Sequence, residues 1–137
     1  MLNRKCTSFF ALLSALLIFG SILTGCKNDE DNDPPAIHLV NPVIHQHYTN
    51  GGTIPWTGTV TDKSTITHVA LAMWNEDDST HLLFNVDYYP DAPSFDLDTF
   101  YVVDDTKITE YHFRITAEDQ AGNTARNPAE DHVHINE

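Results

Sequence analysis

The chain has 137 residues, with 20 acidic and seven basic side chains and a formal charge of −13 when histidine is neutral. That excess repels phosphate backbones and anionic headgroups and gathers cations instead, which argues against nucleic acid as a partner. The length holds one domain with one modest core and excludes two of ordinary size.

Arg4 and Lys5 precede an almost wholly apolar run over residues 9–23, the order of charge and grease found in an export signal. The run is shorter than the roughly 20 residues a helix needs to cross a bilayer, and Gly20 and Ser21 interrupt its end, so a spanning helix is the weaker reading. Leu23, Thr24, Gly25 and Cys26 then resemble the bacterial lipobox, in which a leucine and two small residues precede the modified cysteine. The resemblance implies that residues 1–25 are a signal peptide and that Cys26 carries a diacylglycerol on its thiol and an acyl chain on its freed amine. Each buried methylene would contribute about 0.8 kcal/mol, so the anchor would be effectively permanent. Cys6 falls in the leader and Cys26 is blocked, so no thiol remains to form a disulfide in the folded part.

Residues 26–35 are polar and acidic after the cysteine and end in Pro34 and Pro35, a composition that stays extended and builds no core. They form a tether. The segment also resembles the acidic stretch that Bacteroidota lipoproteins carry behind the cysteine on their way to the outer face of the outer membrane; a plain soluble spacer is the alternative.

Residues 36–137 read as all-β, with short alternating segments rich in Val, Ile, Thr, Phe and Tyr between turn signals and no useful helical periodicity. A first strand is predicted over residues 37–44. Asn50, Gly51 and Gly52 turn the chain into a second, where Ile54, Trp56, Gly58 and Val60 share a face and Trp56 anchors the core. The third covers residues 65–74 with Val69, Leu71 and Met73 buried, the fourth residues 81–88 and the fifth residues 95–103. Asp104, Asp105 and Thr106 close that segment. A sixth strand over residues 110–118 turns Tyr111, Phe113, Ile115 and Ala117 inward. The last points Val133 and Ile135 inward and His132 and His134 outward. Seven strands at this spacing indicate a sandwich.

The stretch from Tyr111 to Ala117, followed by Asp119 and by Ala121, Gly122 and Asn123, resembles the last hairpin of bacterial immunoglobulin-like domains, with Gly122 expected at positive φ. With the lipobox, the tether and the histidines around residues 74–81, the chain resembles the Bacteroidota lipoproteins of domain of unknown function 4625. It departs from them in lacking a second histidine beside His81. The resemblance implies an immunoglobulin-like antiparallel β-sandwich and a cell-envelope location, but no reaction.

Eight histidines are a heavy load, and four of them form two His-x-His pairs, His45 with His47 and His132 with His134. On a strand such positions share a face about 6 to 7 Å apart, close enough for two imidazoles to bind one ion. In an immunoglobulin-like sandwich alternate strands run oppositely, which brings His45, His47, His81, His112, His132 and His134 to one pole. A first strand continuing beside the last would set His45 and His47 next to His132 and His134. These six are the candidate ligands of a divalent transition metal, Zn²⁺ or Cu²⁺ by the chemistry of imidazole. His38 and His68 fall outside the cluster. The pairs Asp77–Asp78 and Asp104–Asp105 lack the regular spacing of a calcium loop and read as solvated turns.

No nucleophile motif, phosphate-cradling glycine loop or His-Glu-x-x-His run is present, so a non-enzymatic surface module is expected. One class is metal or haem capture, which predicts a tight histidine cluster. The other is adhesion, glycan or partner binding as an accessory to an outer-membrane protein, which predicts an exposed platform of Trp74, Tyr88, Tyr89 and Tyr101 or an apolar edge strand. The tether reaches at most about 33 to 36 Å and is expected to join the domain at the pole opposite the histidines.

Overall fold

The computed structural model describes residues 30–104 and 109–136, apart from the side chains of residues 128–130. The expected leader, the lipobox-like residues 23–25, Cys26 and the turn expected at Asp105 and Thr106 lie outside the described residues. Every regular element described is a strand: β1 (Ala36–Asn41), β2 (His47–Thr49), β3 (Thr53–Asn75), β4 (Asp78–Tyr88), β5 (Ala92–Val102), β6 (Glu110–Asp119) and β7 (Thr124–Asn136).

β3 serves two sheets. Its first part, Thr53 to Thr61, pairs antiparallel with β1 on one side and β5 on the other. Its second part, Ile66 to Asn75, pairs with β4 and β6, and β7 and then β2 extend that sheet. The result is the immunoglobulin-like β-sandwich. The second and third strands expected from the sequence are thus one strand with a corner, because the polar residues 62–64 bend the chain without ending its extended path. Asp62 Oδ1 accepts hydrogen bonds from the Ser64 amide and hydroxyl, both at 2.7 Å, and fixes that corner.

The core lies between the layers, supplied by the inward residues of each strand. Trp56 is fully buried, with Phe113 edge-on at 5.6 Å and Phe84 stacked at 5.9 Å. Val69, Leu71 and Met73 from β3 and Tyr111, Phe113 and Ile115 from β6 complete it, as the two-residue period requires. Gly58 lets β1 approach: a Cβ there would stand 2.4 Å from the His38 carbonyl oxygen.

The β6–β7 hairpin explains the Asp-x-Ala-Gly-Asn run. Asp119 is buried and accepts from the Asn123 backbone amide and side-chain amide, both at 2.8 Å, while Gly122 takes φ +86°. The same end receives the incoming chain. Asn123 donates to the Asp31 carbonyl at 2.9 Å, and Lys63 binds Asp31 at 2.9 Å and Asp33 at 2.8 Å. Lys63 beside it holds the Asp31 carboxyl below its usual range, and the two aspartates push the Lys63 ammonium pKa up.

Candidate metal site

The far end of the sandwich carries the histidines. β1 stops at Asn41, and residues 42–46 cross to the edge of β7 before β2 begins. His45 sits there at φ +60°, a region histidine visits more readily than most residues, pinned by its amide on the His132 carbonyl at 2.9 Å. The His134 amide then binds the Gln46 carbonyl at 2.9 Å, and β2 runs parallel to β7 with His47 opposite His134. The crossing with β2 on one side and β7 on the other therefore deliver the two His-x-His pairs to one patch.

His45 Nδ1 and His132 Nε2 lie 2.9 Å apart, and the His45, His132 and His134 rings offer nitrogen donors that all fall within 4.8 Å of one another. Two donors on a tetrahedral zinc ion lie about 3.3 Å apart at the usual metal–nitrogen bond length, so small side-chain rotations bring the three rings onto one ion. Three protein donors leave a fourth position open.

Glu110 sits beneath this triad and escaped the sequence reading. Its carboxylate lies 3.3 Å from His112 Nε2, 3.5 Å from His132 Nδ1 and 3.7 Å from His134 Nδ1. The signal was available, since Glu110 and His112 are two apart on one strand and so share the outward face. His112 stands opposite His132 in the β6–β7 ladder and stacks on Trp74 at 6.1 Å, with the Arg114 guanidinium 5.5 Å from the Trp74 ring.

The other candidates are placed differently. His47 stacks on His134 at 4.9 Å, but its Nδ1 meets Asn136 Oδ1 at 3.0 Å and among the described residues it belongs to no three-donor group. His81 is exposed on β4, and β3 lies between that strand and β6, so it stands apart from the other five. His68 pairs with Asp87 at 2.7 Å, away from the cluster. Asp78 accepts from the Thr80 hydroxyl and amide, which lowers its pKa and makes it a turn-forming residue.

The four aromatic residues expected of a binding platform are dispersed. Tyr88 packs on Phe95 and Tyr101 on Phe84, both against the core, while Tyr89 is 74% exposed and stacks on His68. Beside His45, Leu39, Val40, Pro42, Val43, Ile44, Phe113 and Asn127 line a pocket of about 240 Å³. That is below the roughly 300 to 1,000 Å³ of ordinary organic-ligand pockets, and its lining includes none of the candidate metal ligands.

The chain matches no family model and no curated protein sequence. Among solved structures it is similar to the fibronectin(III)-like modules of CbhA from Clostridium thermocellum, with a TM-score of 0.51 and 17% identity over 73% of this chain and 94% of that one. It is more loosely similar to a superoxide reductase (neelaredoxin) from Ignicoccus hospitalis, with a TM-score of 0.46 and 10% identity over 76% of this chain and 81% of that one. At such identities the first likeness speaks to the fold alone, and the second carries no argument.

Proposed function

We propose that this chain is a non-enzymatic cell-envelope lipoprotein whose immunoglobulin-like domain captures a divalent transition metal, zinc or copper, through His45, His132 and His134. The observation that carries the metal reading is the convergence of three imidazoles from distant parts of the sequence, with donors within 4.8 Å. Neutral imidazoles favour Zn²⁺ and Cu²⁺ over hard cations, and the acidic surface raises the local concentration of any cation. The lipobox resemblance supports lipidation at Cys26 and, with the acidic tether, membership of the Bacteroidota lipoproteins and exposure on the outer membrane.

Titration calorimetry of the protein with zinc and with copper tests the site. The double variant His132→Ala, His134→Ala is expected to weaken binding at least 100-fold, and unchanged affinity would reject it. Mass spectrometry of the protein from its native host tests the anchor; an unacylated residue 26 rejects that half of the proposal.

One observation favours a partner-binding role as a second reading. Among the described residues β5 pairs with β3 alone, and it exposes Phe100 at 60% and Val102 at 47% along that outer strand.

A further inference from the structure

The proposed site uses one nitrogen of His132, and the other nitrogen faces a second set of donors. His132 Nε2 looks toward His45 Nδ1 at 2.9 Å. His132 Nδ1, on the opposite side of the ring, lies 3.5 Å from Glu110 Oε1, which is itself 3.3 Å from His112 Nε2. Glu110, His112 and His132 thus form a second group whose donors all lie within 4.8 Å of one another. Their side chains are 21%, 26% and 25% exposed, so the group is half-buried but open to an arriving ion.

We infer that this pole holds two divalent transition-metal ions bridged by the His132 ring, an inference that rests on the proposed function and extends it. The first ion takes the lone pair of Nε2, while Nδ1 keeps its proton. The second ion is held by the Glu110 carboxylate, His112 Nε2 and His132 Nδ1. Its bond to Nδ1 forms as that N–H proton leaves to solvent, and the ring becomes an imidazolate shared by both ions. Two metal–nitrogen bonds of about 2.0 Å and the width of the ring set the ions roughly 6 Å apart. The negative carboxylate and imidazolate offset part of the added charge, and Trp74 stacked on His112 orients that ligand.

Copper is the informative probe, because bridged Cu²⁺ ions couple magnetically whereas separate ones give ordinary single-ion spectra. The protein loaded with excess Cu²⁺ is expected to hold two ions by elemental analysis, with most of the single-ion paramagnetic signal lost through coupling. Glu110→Gln and His112→Gln, changes on a half-buried surface, should each lower the count to one and restore the single-ion signal. Two uncoupled ions, or a count of one that neither variant alters, would overturn the bridge, and the latter leaves the three-histidine site standing. No bound copper at all sinks both.

Discussion

His45 and His132 meet ring to ring, Nδ1 to Nε2 at 2.9 Å, across a sequence separation of 87 residues. Hydrogen bonds between backbones hold the two in place: the His45 amide on the His132 carbonyl, and the His134 amide on the Gln46 carbonyl, each at 2.9 Å. The position of the His45 backbone is therefore set by its hydrogen bonds to β7, and binding and stability can be separated there.

His45→Gly removes a donor from a backbone at φ +60° that glycine adopts freely. Relief of a left-handed residue, about 1 kcal/mol, is opposed by the added freedom of the unfolded glycine, about 0.5 to 1 kcal/mol. Denaturant unfolding is expected to show stability within about 1 kcal/mol of the parent, while calorimetry shows zinc affinity reduced at least tenfold. Retained affinity would remove His45 from the ligand set.

Gly58→Ala places a methyl group 2.4 Å from the His38 carbonyl oxygen, a backbone atom that cannot step aside alone. β1 must move off β3, and an overpacking cost of about 1 to 3 kcal/mol is expected. Urea titration checks it; a variant as stable as the parent would mean that β1 sits farther from β3 than described.

Trp56→Ala empties the middle of the core, where the ring is fully buried against Phe84 and Phe113. The loss should be about 3 to 5 kcal/mol, a large share of the roughly 5 to 15 kcal/mol that holds such a domain folded, and a clearly lowered thermal midpoint is expected. Circular dichroism at a series of temperatures gives the answer.

Acid sensitivity follows from Asp31. Its carboxyl pKa is lowered chiefly by the hydrogen bond from Lys63, so its contribution is in full force above the ordinary value near about 3.9 and is lost as pH falls through the lowered folded value. Lys63 has the opposite sign: its raised pKa makes its contribution complete below about 10.4 and lost only as pH rises past the folded value. Lys63→Met is expected to flatten the acid limb of the stability profile below about pH 4. An acid limb of unchanged slope would show that this contact does not couple to folding.

Zinc should also stabilise the fold by mass action, by about 2.7 kcal/mol at a free concentration a hundredfold above the dissociation constant. A thermal transition of the parent that is the same with zinc as with a chelator runs against binding to the native state.

The two-residue period makes most of the sandwich readable. Tyr111, Phe113, Ile115 and Ala117 alternate with polar neighbours, and all four are buried on β6. Asp62, Lys63 and Ser64 read as a break because they are polar, yet a strand can turn a corner between sheets without ending, so β3 spans both. β2 is three residues long and pairs parallel with β7, a contact too short and too distant in sequence for periodicity to reveal. For the site, spacing identifies which residues share a face but not which strands are neighbours. His112 and His132 come together because β6 pairs with β7, whereas His81 stands apart because β3 intervenes. Glu110 obeys the same period as His112, but an acidic residue beginning a strand reads as ordinary solvated charge.

The crossing of residues 42–46 ties the first strand of one sheet to the last strand of the other, at the place where the imidazoles collect. An ion seated there closes a loop of nearly the whole domain, so it restricts the unfolded chain much as a covalent staple does. Residues 30–137 contain no cysteine, so no sulfur bridge can serve that purpose. Metal supply in the surroundings would then govern how firmly the two layers are held together, and a chelator would act on this domain as a reductant acts on others.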